Sequence, residues 1–206
     1  MPRRSYDHYC GIARALDHLG ERWALLIVRE LLAGPRRYSD LLADLPGIST
    51  DVLATRLREM ESDGLLSRAQ DGPRTYELTE AGAAVAPVLD ALSDWGLGRL
   101  HARARGDALR GHWLGAPLAR RLGPLSGSVA GTVQVHLTEG SFHVLVTPGG
   151  VTYRDGAAPR ADAVLTTSAQ TAAAVAAGRT SLREAVSAGD AKLEGPETLT
   201  GALLTL

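Results

Sequence analysis

The stretch Ser49-Thr50-Asp51-Val52-Leu53-Ala54-Thr55-Arg56-Leu57-Arg58-Glu59-Met60-Glu61-Ser62-Asp63-Gly64 decides how the first half of this chain is read. Ser49 can accept a hydrogen bond from an N–H of the first turn, and Asp51 puts an acid where the helix dipole favours one. Leu53, Leu57 and Met60 recur at i, i+4 and i+7, so the segment is a helix that buries one stripe. Gly64 suits the residue that closes it. At about 100° per residue, Asp51, Thr55, Arg58 and Ser62 face away from that stripe. An outward Arg58 can fork onto guanine or phosphate, and Thr55 can meet a base edge or a thymine methyl. Thr50 joins them in the first turn. Arg56 leans to one side and suits a phosphate contact or an internal ion pair.

Working upstream, Tyr38 to Asp44 reads as a short helix with Leu41, Leu42 and Leu45 apolar, and Pro46-Gly47 is a turn. A short helix, a tight turn and a capped helix make a helix–turn–helix. Arg36 and Arg37 precede the pair, near where a DNA strand would pass. Gly34-Pro35 stops an earlier helix over Glu21 to Ala33, and Cys10 to Leu19 is the first helix, with Ile12, Leu16 and Leu19 at helical spacing. Working downstream, Leu65–Ala69 and Arg74–Leu78 are two strands around Gln70-Asp71-Gly72-Pro73, a hairpin bracketed by Arg68 and Arg74. Thr79 then caps a long helix, about Glu80 to Ala104, with Val85, Val88, Leu89, Leu92 and Trp95 on one stripe. Helices followed by a two-stranded wing form a unit whose second helix enters the major groove while the hairpin tip follows the backbone or the minor groove.

Composition narrows the options. The 206 residues carry a net charge of −1, with 45% hydrophobic residues, enough for a core. Residues 1–105 hold 14 Arg against 15 acids, and residues 106–206 hold 8 of each sign. DNA contact must therefore come from a local basic surface and not from bulk charge. Lys192 is the one lysine and there is no Asn, so bidentate adenine reading by Asn is excluded. No run approaches a membrane span, and nothing apolar follows Met1–Asp7 as in a signal peptide, so a cytoplasmic protein without membrane contact is expected.

At these residues a family resemblance emerges. Cys10-Gly11-Ile12-Ala13-Arg14-Ala15-Leu16, Leu19 to Ile27, Leu31 to Leu41, Leu45 to Ser49, Leu53 to Leu66 and Tyr76-Glu77-Leu78-Thr79-Glu80-Ala81-Gly82 resemble the HxlR family, which is MarR-like. The resemblance covers residues 8–100. It implies a homodimeric winged-helix regulator of transcription, more often a repressor than an activator, on double-stranded DNA with an inverted-repeat operator. It also implies that the first and last helices of the domain form the dimer interface, which selects Leu16 with Val85, Leu89, Leu92 and Trp95. Cys10 matches a cysteine through which some members sense oxidants or electrophiles. A thiol at a helix N-terminus has its pKa lowered; the competing reading is a small interface cysteine.

Arg99 to Gly111 is polar and basic and marks a boundary, giving domains at 1–105 and 106–206. Beyond it, Val133, Val135 and Leu137 alternate, then Phe142, Val144 and Val146, then Val151 and Tyr153, then a strand near Ala163–Thr167. Ser168 and Ser181 cap helices, Ala191–Glu194 is a strand and Pro196 opens a last helix. This is α+β, sheet first and helices after. Ala161 to Ser168, Gly178 to Ala185 and Ser187 to Gly195 resemble the sterol-carrier-protein-like fold. That resemblance implies a domain able to hold an apolar small molecule, as an effector-sensing module or a dimerisation surface. Trp113, Phe142 and Tyr153 are candidate lining residues, with ordinary core packing as the competing reading.

Enzymatic readings find no support. His8, Cys10 and His18 lack the spacing of a zinc site. Ser126, Ser128 and Ser141 near His136 and His143 form no nucleophile elbow, and there is no phosphate-binding loop. No metal and no cofactor are expected. The competing class is a small-molecule or lipid carrier whose winged helix mediates protein contacts.

Overall fold

In the computed structural model, which describes residues 5–69, 74–100, 104 and 106–205, the chain divides into two units, Met1–Leu89 and Asp90–Leu206. Among the described residues no helix is long and apolar enough to cross a membrane.

The first unit runs α1 (Gly11–Leu19), α2 (Ala24–Leu32), β1 (Arg36–Arg37), α3 (Tyr38–Asp44), α4 (Thr50–Ser62), β2 (Leu66–Arg68), β3 (Thr75–Leu78) and α5 (Glu80–Ala83). The expected helix–turn–helix is α3 and α4. Ser49 Oγ accepts from the Val52 N–H at 3.3 Å, and Gly64 closes α4 at φ +71°. Leu53, Leu57 and Met60 are buried, as their spacing requires, with Ile27, Val28, Leu31, Leu41 and Leu45 from α2 and α3. The wing strands pair antiparallel, Leu66 opposite Leu78 and Arg68 opposite Tyr76. The turn Gln70–Pro73 lies outside the described residues. A third strand is added on the other side of β3: β1 pairs Arg36 with Tyr76.

The long helix expected over Glu80–Ala104 is two helices. Pro87 has no N–H for the Ala83 carbonyl and its ring would clash with that group in a continuous helix. The chain instead turns through Ala84 and Val85 and restarts as α6 (Ala86–Leu97), with Pro87 in the first turn. The Val88 and Leu89 N–H groups both bond the Val85 carbonyl there. Gly96 and Gly98 flank the last residue of α6, and Ala104 is not helical; residues 101–103 and 105 lie outside the described residues.

The second unit contains, after α6, a 3-10 turn (Gly111–Leu114), α7 (Gly115–Leu122), β4 (Gly131–Leu137), β5 (Gly140–Thr147), β6 (Gly150–Asp155), β7 (Ala163–Thr167), α8 (Ala169–Ala176), α9 (Leu182–Ser187), β8 (Ala191–Glu194) and α10 (Glu197–Leu203). The sheet order is β6-β5-β4-β7-β8. The neighbours are antiparallel except β4 and β7, which run parallel with Val135 opposite Leu165. α7 corrects the expectation that the sheet comes first. It is obscured in the sequence by Gly115, Pro117 and Gly123, yet Pro117 sits in the first turn, where a missing N–H costs no internal bond. Leu118 and Leu122 of α7 join Val133, Val135, Val144, Leu165, Val175, Leu182 and Leu203 in one core. Ser168 and Ser181 cap α8 and α9 as expected; Ser181 forms a reciprocal box with Glu184.

Candidate nucleic-acid interface and apolar cavity

The outer side of α4 is built by its inner side. Because Leu53, Leu57 and Met60 are buried, Thr50, Asp51, Arg58 and Ser62 are exposed and Thr55 is half-buried. Arg58 reaches one turn back and donates to Thr55 Oγ1 at 3.2 Å, so the two groups expected to meet a base act from one place. Tyr38 Oη donates to the Thr50 carbonyl at 2.8 Å and ties the start of α3 to the start of α4.

Two of the expected contact residues are engaged within the unit. Arg56 ion-pairs with Glu59 at 2.6 Å and Glu21 at 3.6 Å. The Arg36 side chain is 14% exposed and lies 3.9 Å from Asp44. Arg37 is exposed, and its N–H bonds Asp40 Oδ2. On the wing, Arg68 pairs with Glu61 at 3.2 Å and lies over the Tyr76 ring at 5.4 Å, while Arg74 is exposed. Val52, which sequence reasoning passed over, is 40% exposed on α4. The available signal was its position, about 100° off the buried stripe beside Asp51.

The expected dimerisation residues separate into two groups. Leu16 on α1 and Leu92 and Trp95 on α6 are exposed, along with Ile12 and Val88. The Arg99 guanidinium stacks 3.7 Å from the Trp95 ring centre and donates to its carbonyl. Val85, by contrast, is buried in the core of the first unit, and Leu89 packs partly against that core. The break before Pro87 turns Val85 inward, so it leaves the stripe.

Cys10 is the N-cap of α1 and is exposed. The backbone N–H groups of Ala13, then Ile12, hold the thiol below its ordinary pKa, although it makes no regular capping hydrogen bond.

In the second unit an apolar cavity of about 20 Å³ lies between the sheet and its helices, lined by Leu118, Leu122, Val133, Val135, Val144, Leu165, Val175, Leu182, Leu193, Leu203 and Arg121. Trp113, Phe142 and Tyr153 are not in this wall. Phe142 is wholly buried in the core; Tyr153 packs against it, its ring pressed on Gly115 where no side chain would fit. Trp113 is half-buried beside His112.

Comparison with known proteins agrees with both units. Residues 18–103 match the HxlR-like helix-turn-helix family, and residues 119–203 match the SCP-2 sterol transfer family. An HTH-type transcriptional regulator of Synechocystis sp. is 42% identical over 96 residues, which are 43% of this chain and 71% of that protein. The HTH-type regulator YvaP of Bacillus subtilis is 42% identical over 87 residues, 40% of this chain and 80% of that protein. The quinone-bound structure of YodB from B. subtilis is 34% identical over 42% of this chain and 96% of its own, with a TM-score of 0.39. The relatives are HTH-type transcriptional regulators, and the second match is a sterol transfer family. With a winged helix–turn–helix in its first unit and HTH-type transcriptional regulators matched over most of their length, this chain belongs to the HxlR-like helix-turn-helix family of transcriptional regulators.

Proposed function

We propose that the chain is a cytoplasmic homodimer that represses transcription from an inverted-repeat operator, under the control of an apolar small molecule held by its second half. The observation that carries the DNA reading is the pairing of Arg58 with Thr55 on the exposed side of α4, next to a wing with Arg74 exposed. In this reading Arg58 and Thr55 address bases. Val52 meets a thymine methyl, and Ser49, Thr50 and Asp51 set the approach of the helix N-terminus. Arg37, Arg68 and Arg74 contact phosphates. Arg36 and Arg56 act chiefly as internal supports, since each already faces a carboxylate.

Exposed Ile12 and Leu16 on α1, and Val88, Leu92 and Trp95 on α6, support a dimer: side chains of that size need a cover. We divide the chain functionally at 1–105 and 106–206, with the second part as the effector module and its cavity as the binding site. The exposed, acid-shifted Cys10 favours a second input by oxidants or electrophiles at the same helix.

The test is binding of the full chain to the DNA upstream of its own gene, titrated with salt. Retarded DNA, with affinity falling steeply as salt rises and far weaker binding to random DNA, is expected. Equal, weak binding to all sequences would favour a carrier whose winged helix contacts protein.

A further inference from the structure

The family match of the first half runs to residue 103, yet the two structural units part between Leu89 and Asp90, inside α6. The later turns of α6 therefore belong to the second unit, and the sequence of the helix shows why they need it. α6 has 12 residues, a length at which a helix is marginal in water. Gly96 lowers its propensity further. Asp90 and Asp94 are like charges at i and i+4, which repel, and Asp94 lies toward the helix end where the dipole disfavours an acid. Packing contributes little: Leu97 is the buried residue of α6, whereas Val88, Leu92 and Trp95 are exposed.

The second unit meets these defects one by one. Arg120 of α7 donates from Nη1 to Asp90 at 2.6 Å and from Nη2 to Asp94, which turns their repulsion into a clasp. Between α8 and α9, Arg179 Nη1 donates at 3.3 Å to the Leu97 carbonyl, one of the last-turn carbonyls that find no partner within a helix. We propose that the second unit is a structural part of the homodimer interface: it holds α6 in shape, and Arg120 is the positioning residue through which the state of α7 sets the dimer. The inference rests on the dimer reading above, in which Leu92 and Trp95 of α6 meet the partner. The side chains of Arg120, Asp90 and Asp94 are 25%, 38% and 64% exposed, so solvent reaches the clasp and it can open. Two DNA-reading helices work together only at a fixed half-site spacing, so an opened clasp lowers operator affinity as well.

Hydrogen exchange read by mass spectrometry, with sedimentation equilibrium, tests this on the full-length protein. The variants are Arg120→Met and the pair Arg120→Asp with Asp94→Arg, which remakes one ion pair with the signs exchanged. In Arg120→Met the α6 amides should exchange about three- to tenfold faster and the dimer Kd should rise by a similar factor, with β4 and β5 as protected as in the parent. The sign-exchanged pair should recover both, which a role confined to packing α7 would not. Should Arg120→Met also loosen β4 and β5, Arg179→Met, at an exposed position, gives the reading instead, with faster exchange in the last turn of α6. Parent-like exchange of α6 in whichever variant keeps the sheet protected, or a sign-exchanged pair as labile as Arg120→Met, would overturn the clasp while leaving the dimer reading in place. Faster exchange of α6 with an unchanged dimer Kd would leave the clasp and overturn the dimer role of α6.

Discussion

Gly82 at the N-terminus of α5 is pressed against the carbonyl of Leu65 at the base of the wing so closely that a Cβ on Gly82 would overlap the Leu65 oxygen. Thr79 reinforces the junction, its N–H on the Leu65 carbonyl at 3.1 Å and its hydroxyl on the Gly64 carbonyl at 2.6 Å. The obstacle is backbone and cannot rotate aside. Gly82→Ala should lower stability by about 3 kcal/mol, the upper end of the overpacking range. Gly96→Ala on α6, where a Cβ meets nothing within 4 Å, should be neutral or gain up to about 1 kcal/mol. Urea unfolding of both variants checks this; equal midpoints would mean the Gly82 contact is not tight.

Arg58→Ala should weaken operator binding by about 1–3 kcal/mol and relax preference at one base pair per half-site. Its hydrogen bond to Thr55 Oγ1 on the exposed side of α4 motivates this. Competition assays against random DNA give the measurement. The same loss on both DNAs would make Arg58 a phosphate contact.

The wing behaves differently. Arg74 is exposed, and in the phosphate role Arg74→Ala should lower affinity for all sequences alike and reduce the log–log salt slope by about one unit. A slope equal to that of the parent would remove Arg74 from the DNA surface.

Trp95 is 63% exposed, with one ring face under the Arg99 guanidinium. If the dimer covers it, Trp95→Glu buries an unpaired carboxylate at a cost of several kcal/mol, about enough to yield monomer at micromolar concentration. Sedimentation velocity is the check. An intact dimer for this variant and for Leu92→Glu would locate the interface elsewhere; Val85→Glu is no test, because Val85 is in the core.

Cys10 should alkylate with a pH midpoint below the value of about 8.5 for a free thiol. The direction follows from the Ala13 and Ile12 N–H groups, which favour the thiolate at the start of α1. Iodoacetamide labelling followed by mass spectrometry reads the profile, and a midpoint at or above the free-thiol value would mean that the helix end does not act on this sulfur.

What the sequence determined on its own was local. Ser49, the Leu53–Leu57–Met60 stripe and Gly64 specify α4 without help, because capping, periodicity and a positive φ are properties of neighbouring residues. The same holds for the alternating strands of the second unit and for the serine caps of α8 and α9. Tertiary structure decided what depends on distant partners. The strand Arg36–Arg37 exists because Tyr76, forty residues on, offers an edge. Arg36 was selected as an outward cation, yet it meets Asp44, and of the two roles open to Arg56 in the sequence the structure has the internal ion pair, with Glu21 brought to it by the fold. Val85 kept the period of an exposed stripe until the break before Pro87 changed its direction. The cavity comes from α7, β4, β5, β7, β8, α8, α9 and α10 together. A helix face is periodic and can be read along the chain, whereas a cavity wall is assembled across it, from side chains whose spacing in sequence carries no common period.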